Sequence, residues 1–251
     1  MRIKVINPNT DEQMTESIRV TAERCCEKGT EIIAVHSPIG PQSIENYFDE
    51  YLAIPGVLQE IIKGDKEEDI DAYVIACFDD PGVPAAREIT DKPVIGIAEA
   101  AMATMRFIAP SFSIITVLDR SKHMNEKLAR ELGYSEVLRS VRSTGMSVLD
   151  FGKNHAQGLA ALERESRKAI EEDKSEGILL GCAGFVDFAK EMQERLGVPV
   201  LEGVTPAVKI AEMLVKLNYK TCKFLSYSFP EVKSFIGYDN AFSDVALFKK
   251  R

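Results

Sequence analysis

Short apolar runs alternate along the chain with segments in which apolar residues recur every three or four positions. The apolar runs predict eight β-strands, at 2–6, 30–35, 72–76, 93–96, 112–117, 136–141, 177–180 and 198–201. The periodic segments predict helices, beginning at Asp11, over 45–63, over 84–90, up to Leu132, and over 159–173, 185–196 and 206–217. Pro55 and Gly56 predict a break that divides the second of these helices in two. Because the strands lack strict alternation of apolar and polar residues, parallel βαβ units are expected.

The arrangement around one cysteine is repeated about a hundred residues later. Cys77 follows a strand and precedes a helix, and the next strand begins at Pro93, 16 positions further on. Cys182 has the same surroundings, and its next strand begins around Pro199, 17 positions further on. This repeat predicts two similar α/β halves. Ligands of open parallel sheets bind beyond the carboxyl ends of the strands, so the two thiols are expected to line one cleft between the halves.

Composition and charge narrow the classes of partner. The net charge of −8 argues against nucleic acid, because Lys and Arg are interspersed with Glu and Asp and form no basic stripe. The N-terminal apolar run is too short for a signal peptide, and no stretch approaches the ~18 apolar residues of a membrane helix. We therefore expect no membrane partner and a cytoplasmic location. The odd number of cysteines, five, indicates unpaired thiols in a reducing compartment.

The sequence gives no support for a metal or a cofactor. No CxxC or HxxxH spacing occurs, and His36, His123 and His155 are scattered, so no metal site is expected. No glycine-rich phosphate loop is present, so no nucleotide cofactor is expected either.

The two cysteines suggest an acid/base pair. A thiol at a strand end and a helix N-terminus faces unpaired N–H groups, which are expected to lower its pKa and favour the thiolate. Two such thiols on opposing halves can remove a proton from one face of a carbon and return one to the other face. The N–H groups of 78–79 and 183–184 are candidate donors to the resulting anion. The alternatives are that Cys77 and Cys182 are ordinary buried residues or that they form a redox disulfide.

Six segments carry a resemblance to a known family. They are Val5 to Thr10 with Met14 and Thr15, Gly40 to Glu45, Ile75 to Gly82, Pro93 to Ala101, Leu180 to Gly184 and Pro199 to Gly203. In this joint order the chain resembles the Asp/Glu racemase superfamily, and within it the hydantoin and allantoin racemases. The resemblance implies two pseudosymmetric α/β domains, each with a mostly parallel sheet flanked by helices. The first would comprise 1–99 with 207–251 and carry Cys77, and the second 100–206 and carry Cys182.

The same resemblance implies an activity and a set of site residues. The activity is cofactor-independent racemisation of a 5-substituted hydantoin, allantoin included, by a homo-oligomer with Cys77 and Cys182 as acid and base. The implied substrate-binding residues are Asn9, Ser43, Ile44, Phe78, Asp79, Thr116, Val117, Ala183, Gly184 and Phe185. Asn9 has an alternative role as a helix cap, and Phe78 and Phe185 have one as core residues.

Two departures from the family pattern bear on the substrate. Asp79 stands where the family usually has glycine, and Thr116-Val-Leu-Asp119 replaces Thr-Thr-Leu-Pro. A carboxylate at 79 is expected either to raise the thiol pKa or to bind a ureido or cationic substituent. The competing functions are an amino-acid racemase of the Asp/Glu type, a related isomerase or decarboxylase, and a non-catalytic small-molecule binding module.

Overall fold

The computed structural model describes residues 1–151, 154–231 and 233. Eight strands lie in this part of the chain: β1 (Arg2–Asn7), β2 (Glu31–His36), β3 (Ala72–Ile75), β4 (Val94–Gly96), β5 (Phe112–Thr116), β6 (Leu138–Ser143), β7 (Ile178–Leu180) and β8 (Val200–Leu201). Nine α-helices lie there too: α1 (Glu12–Cys25), α2 (Tyr47–Lys63), α3 (Val83–Ile89), α4 (Ile97–Met105), α5 (Asp119–Glu131), α6 (Val148–Phe151), α7 (His155–Glu171), α8 (Ala189–Leu196) and α9 (Val204–Lys216).

The strands form two parallel sheets of identical topology. The order is β2-β1-β3-β4 in the first sheet and β6-β5-β7-β8 in the second. The central strand β1 pairs Ile3 with Ile32 on one side and with Ala72 on the other, and β5 is paired in the same way with β6 and β7. The α/β fold class and the repeat predicted from the sequence are confirmed.

Three helices differ from the expectation, and one of them is α6, which no periodic segment predicted. α2 is one continuous helix with Pro55 inside it, so the predicted break is wrong. Gly56 lets this helix lie directly on the loop after β2, because a Cβ at Gly56 would come within 1.8 Å of the Ser37 hydroxyl. α4 was not predicted, because its sequence from Ile97 to Met105 is apolar on nearly every side and shows no amphipathic period.

α4 and α9 connect the two halves. α9 packs against α1, α4 and strand β3 of the first sheet, and α4 also contacts β7 of the second sheet. Alanines on both helices belong to a core that includes Val5 of one sheet and Ile114 of the other. The division into 1–99 with 207–251 and 100–206 stays a prediction, and residues 152–153, 232 and 234–251 of it lie outside the described residues.

Strand β1 carries a fully buried lysine. The Lys4 ammonium lies 2.8 Å from the Glu60 carboxylate of α2 and 2.6 Å from the carboxylate of Glu68, which follows α2. Its Nζ also donates a hydrogen bond to the Glu60 carbonyl at 3.0 Å. These partners compensate a charge that would otherwise be costly to bury.

Candidate active site

Cys77 lies in a short loop anchored to the central strand of the first sheet. The preceding residue, Ala76, donates its N–H to the Ile6 carbonyl of β1 at 2.8 Å. The Cys77 carbonyl accepts the N–H of Asp80 at 3.0 Å, which closes a turn after the thiol. The N–H of Asp79 faces the Cys77 thiol and favours its ionised form.

Cys182 occupies the equivalent loop of the second sheet. Gly181 donates its N–H to the Ile115 carbonyl of β5 at 2.8 Å, and the Cys182 carbonyl accepts the N–H of Phe185 at 3.1 Å. The N–H of Gly184 reaches the Cys182 sulfur at 3.3 Å. Each thiol therefore faces the N–H of the residue two positions after it, in matching turns on the two halves.

Both thiols line one cleft at the carboxyl ends of the two sheets. The lining residues are Asn7, Asn9, Met14, Ile44, Ala76, Cys77, Phe78, Asp79, Thr116, Val117, Ser121, Val148, Gly181, Cys182 and Ala183. The cleft holds about 400 Å³ of space not occupied by atoms, its open mouth included. Nine residues singled out in the sequence thus meet at one place, and their roles there stay predictions.

Three of the sequence-based site residues lie outside this lining set. Gly184 contributes its N–H to the Cys182 sulfur, and Ser43 precedes the lining residue Ile44. Phe185 is fully buried and packs on Phe151, with ring centroids 4.4 Å apart. Phe185 is therefore placed as a core residue, which was the alternative to a substrate-binding role.

Among the described residues, the amide N–H₂ group of Asn9 has only a weak hydrogen-bond partner. Asp11, not Asn9, caps α1, because Asp11 Oδ1 accepts the Met14 N–H at 2.6 Å. The Asn9 oxygen accepts from the Asn7 side chain at 2.7 Å and from the Asp11 N–H at 2.9 Å. Its Nδ2 contacts the Met14 sulfur at 3.3 Å, a weak acceptor. The amide N–H₂ is therefore a donor that a ligand in the cleft can use.

Six lining residues were not singled out as site residues, and two of them, Ala76 and Gly181, directly precede the cysteines. Asn7 is the last residue of β1, and Met14 lies one turn into α1. Ser121 lies on α5, and its hydroxyl donates to the Glu45 carbonyl at 2.9 Å. Val148 begins α6. Asn7 could have been predicted as a site residue, because it ends a strand of the parallel sheet. Ser121 and Val148 could not, because contacts with Glu45, distant in the sequence, hold them at the cleft.

The expected lowering of the thiol pKa is wrong. Burial raises the pKa of Cys182 to about 12, against the lowering effect of the Gly184 N–H. Burial also raises the pKa of Cys77 well above its ordinary value, and the Asp79 carboxylate adds to this. Cys77 lacks the dipole of a following helix, because α3 begins only at Val83. Both thiols are therefore protonated at neutral pH.

Asp79 is a carboxyl group in the wall of the cleft. Its Oδ1 accepts a hydrogen bond from Nδ2 of the buried Asn125 of α5 at 2.8 Å. Burial raises the pKa of Asp79 to about 7, and the neighbouring carboxylates of Glu50 and Asp80 act in the same direction. Asp79 thus changes its charge close to neutral pH, within the electrostatic reach of both thiols.

Asp80 connects the Cys77 loop to α4. Its carboxylate accepts the N–H groups of Ala98 at 3.0 Å and of Glu99 at 2.8 Å, the first turn of that helix. The carboxylate fills the space above Gly96, because a Cβ at Gly96 would lie 2.2 Å from the Asp80 Cγ. Asp80 adopts a left-handed backbone with φ of 48°, a conformation that Asp tolerates better than most residues. The start of α4 therefore fixes the loop that carries the thiol.

The cleft offers N–H donors and one carboxyl group but no cationic side chain. Among the described lining residues none is Lys, Arg or His. In the same part of the chain, the N–H groups of Phe78 and Ala183 make no hydrogen bond to protein. No group of His, Cys, Asp and Glu that could hold a metal ion occurs among the described residues, and no helix there is long and apolar enough to cross a membrane.

Comparison with known proteins gives full-length matches. Residues 3–211 match the family model described as Asp/Glu/Hydantoin racemase. The chain is 49% identical over 237 residues to the hydantoin racemase of Pseudomonas sp. (strain NS671), with 94% of this chain and 95% of that protein covered. It is 42% identical over 237 residues to the hydantoin racemase of Paenarthrobacter aurescens, covering 94% and 100%. The structure of allantoin racemase from Klebsiella pneumoniae matches with a TM-score of 0.93 at 40% identity, over 98% of both chains.

Proposed function

The chain belongs to the Asp/Glu/hydantoin racemase family and is an isomerase, and from that premise we propose that it racemises 5-substituted hydantoins, allantoin among them, at C5. The observation that carries the proposal is the pair of thiols, Cys77 and Cys182, which come from the two halves in matching turns and line one cleft. No metal or cofactor is assigned a role in the proposed reaction.

The proposed reaction is a proton transfer across the C5 carbon. One sulfur, as thiolate, takes the C5 proton from one face of the ring and becomes a thiol. The electron pair left on C5 is delocalised onto the adjacent ring carbonyl oxygen as an enolate. The thiol on the other half then donates its proton to the opposite face of C5 and becomes the thiolate. Cys77 and Cys182 exchange roles when the other enantiomer is bound.

Both thiols start from a protonated state, since burial raises the pKa of each. Loss of one proton to solvent is therefore the step that activates the pair. The N–H groups of Asp79 and Gly184, which face the two sulfurs, stabilise whichever thiolate forms. Because the second thiol keeps its proton, the pair carries one base and one acid at the same time.

The enolate oxygen has matching donors in the cleft. The N–H groups of Phe78 and Ala183 follow the two cysteines directly and make no hydrogen bond to other described residues. Backbone N–H groups aimed at a developing oxyanion commonly contribute about 10²–10³-fold to such reactions. In the proposed complex these donors hold the carbonyl edge of the ring.

An amino-acid substrate of the Asp/Glu type fits the cleft less well. The N–H donors of the cleft could pair with an α-carboxylate, but none of the described lining residues is cationic, so its charge would lack a compensating charge. The Asp79 carboxylate repels a second carboxylate in the same small space. A hydantoin is neutral and presents ring N–H and C=O groups, which the polar groups of this cleft can pair.

Optically pure substrates test the reaction directly. Each enantiomer of allantoin and of a set of 5-alkyl and 5-aryl hydantoins is incubated with the protein, and the decay of the circular dichroism signal is followed. We expect decay to zero faster than in buffer for at least one of them. Decay at the buffer rate for every compound would refute the proposed substrate class, and the same assay with aspartate and glutamate tests the competing class.

Single cysteine variants test the two-base mechanism. Cys77→Ser and Cys182→Ser are each expected to lower the racemisation rate at least about 10³-fold, because one face of C5 loses its acid or base. In ²H₂O each variant should still exchange the C5 proton of one enantiomer only, which NMR detects. Cys26→Ser, outside the cleft, is the matched control and should keep the wild-type rate. Wild-type rates in both cleft variants would contradict the two-base mechanism.

Self-association and location complete the proposal. The outer face of α2 exposes Phe48 at 72% and Tyr51 at 60%, apolar area that a second copy of the chain would cover. A homo-oligomer is therefore proposed, and light scattering coupled to size exclusion measures it. All five cysteines are free thiols, which suits the proposed cytoplasmic location.

A further inference from the structure

Asp79 is built into the cleft with one oxygen fixed and one oxygen open. Oδ1 accepts the 2.8 Å hydrogen bond from Asn125, which is 1% exposed and therefore cannot swing away without unpacking α5. Oδ2 has no hydrogen-bond partner among the described residues, and Asp79 is partly exposed where it lines the cleft. The open oxygen is an acceptor placed beside the reacting thiols, and the reaction itself does not need it.

The ring is a poor partner for this oxygen. Proton loss from C5 places negative charge on the ring carbonyl, and a carboxylate next to that charge opposes its formation. The favourable orientation puts the carbonyl edge against the N–H groups of Phe78 and Ala183 and keeps it away from Asp79. The substituent on C5 then becomes the part of the substrate that meets Oδ2.

The surroundings of Asp79 favour a hydrogen-bond donor over an apolar group. The nearby carboxylates of Glu50 and Asp80 add negative charge around Asp79, although neither residue lines the cleft. An apolar substituent would cover Oδ2 without giving it a hydrogen bond, and a site with a buried polar group rejects analogues that lack the matching partner. A donor such as a urea N–H or an ammonium group supplies that partner.

We propose that Asp79 is a specificity-determining residue that selects hydantoins whose C5 substituent carries N–H donors, over hydantoins with alkyl or aryl substituents. The proposal rests on the proposed hydantoin racemase activity. In this proposal the Asp79 carboxyl group, which departs from the family pattern, determines which subclass of hydantoins is preferred. The two-cysteine chemistry is unchanged.

The experiment compares ratios of kcat/KM between substrates. The three probes are allantoin, whose substituent is a neutral ureido group, 5-(3-aminopropyl)hydantoin, whose substituent is cationic, and 5-isobutylhydantoin, which is apolar. They are assayed with the wild-type protein, Asp79→Leu and Asp79→Asn. Ratios are used because any effect of residue 79 on the thiols changes all three rates by a common factor, which cancels.

The expected result is a wild-type preference of about 10-fold or more for at least one donor-bearing probe over 5-isobutylhydantoin. Asp79→Leu should abolish that preference. Asp79→Asn keeps its one oxygen on the Asn125 N–H₂ group and presents its own N–H₂ group to the substituent, so it should lose the preference for both donor-bearing probes. The wild-type preferences for the ureido and the aminopropyl probe, compared with each other, distinguish a neutral donor from a cation as the selected group.

Two outcomes would overturn the inference while the proposed function stands. One is a wild-type protein that racemises 5-isobutylhydantoin as well as the donor-bearing probes. The other is that Asp79→Leu leaves the ratios of kcat/KM between substrates unchanged. Residue 79 would then act on the ring or on the thiols and not on the C5 substituent. Failure of the wild-type protein on every hydantoin would instead refute the proposed function. Asp187→Asn removes an exposed carboxylate outside the cleft lining and should reproduce the wild-type ratios.

Discussion

At the scale of single residues, the reactivity of the thiols depends on two opposing influences. Burial disfavours the thiolate at both Cys77 and Cys182, and the N–H group two positions later favours it. Burial is the larger influence in both cases. The charge of Asp79 adds to burial on the same side, so its removal is the simplest change that shifts the balance.

Asp79→Asn should move the rising limb of the pH profile of kcat/KM to lower pH. Loss of a negative charge stabilises a nearby thiolate, so the pKa of both thiols falls. Asp79 itself has a pKa of about 7, hence the rate advantage of the variant should appear above pH 7 and vanish below it, where wild-type Asp79 is neutral. Asp80 near Cys77 and Glu45 near Cys182 remain in the variant and keep their own, smaller effects on the thiols.

Initial rates of racemisation between pH 6 and 10, corrected for the spontaneous reaction, measure this shift. The same 5-alkyl hydantoin should be used for every variant. Asp187→Asn serves as control and should superimpose on the wild type. A limb that stays in place, or moves to higher pH, would contradict the electrostatic coupling between Asp79 and the thiols.

Sequence reasoning located the reacting groups because their positions follow from local rules. Cys77 and Cys182 each lie just after a strand of a parallel sheet, and the carboxyl ends of such strands form the edge where ligands bind. Asn125 was missed because its side chain reaches Asp79 from a helix of the other half, 46 positions away. The sign of the thiol pKa was missed because burial depends on how the halves close over the cleft, which a helix-terminus argument ignores.

At the scale of elements, α4 determines the position of the Cys77 loop. The Asp80 carboxylate caps the first turn of this helix and occupies the space that the missing side chain of Gly96 leaves. Adding a single carbon atom at Gly96 should therefore displace the Cys77 loop, although Gly96 does not line the cleft.

Gly96→Ala should lower kcat strongly and destabilise the fold. The new Cβ would overlap the Asp80 carboxylate, which must then leave the α4 N-terminus, at a cost of about 1–3 kcal/mol for the lost cap and the strain. Denaturant unfolding measures the stability, and kcat reports the displaced loop. At Gly133 a Cβ meets nothing within 4 Å, so Gly133→Ala should cost only the left-handed backbone penalty and keep kcat. Equal kcat in both variants would contradict the link between α4 and the loop.

The buried ion pairs of Lys4 hold strand β1 against α2 and Glu68. Lys4→Ala should destabilise the protein by about 3–5 kcal/mol, because it leaves Glu60 and Glu68 without their buried partner. Lys63 also pairs with Glu68, at 3.4 Å, but from a half-exposed position. Lys63→Ala should therefore cost at most about 1 kcal/mol, and it is the matched control. Similar free energies of unfolding for the two variants would show that burial of the pair is unimportant.

The elements themselves were largely predictable from the sequence. Buried strands and amphipathic helices carry a periodic signal, and all eight strands were found close to their predicted positions. α4 and the continuity of α2 were missed for opposite reasons. α4 has too many apolar residues to show a face, whereas Pro55 gives a break signal that the packing of Gly56 against the loop after β2 overrides.

At the scale of the whole molecule, the halves share one hydrophobic core. Alanines of α4 and α9, with Val5 and Ile114 of the two sheets, belong to a single cluster of buried residues. The sequence indicated two halves but not this shared core, because each connecting helix contacts elements distant in the sequence. We therefore expect the molecule to unfold as one unit.

A substitution confined to the second half tests this cooperativity. Leu162 is fully buried in a cluster formed by the second half, together with Ile115 and Leu180. Leu162→Ala should lower the stability by about 2–5 kcal/mol. In hydrogen exchange followed by mass spectrometry, peptides of β1 should then lose as much protection as peptides of β5. Loss confined to β5 would mean that the halves open independently.

The two walls of the cleft are alike in backbone but unequal in charge. Two residues after Cys77 the chain carries Asp79, and two residues after Cys182 it carries Gly184. The two enantiomers of a substrate therefore meet different electrostatic surroundings at the base that attacks them. Mirror-image molecules have the same free energy in water, so their equilibrium constant is unity and kcat/KM must be equal in the two directions. The asymmetry can appear only as kcat and KM that differ between enantiomers by the same factor, which makes one enantiomer the tighter-bound and more slowly converted of the two.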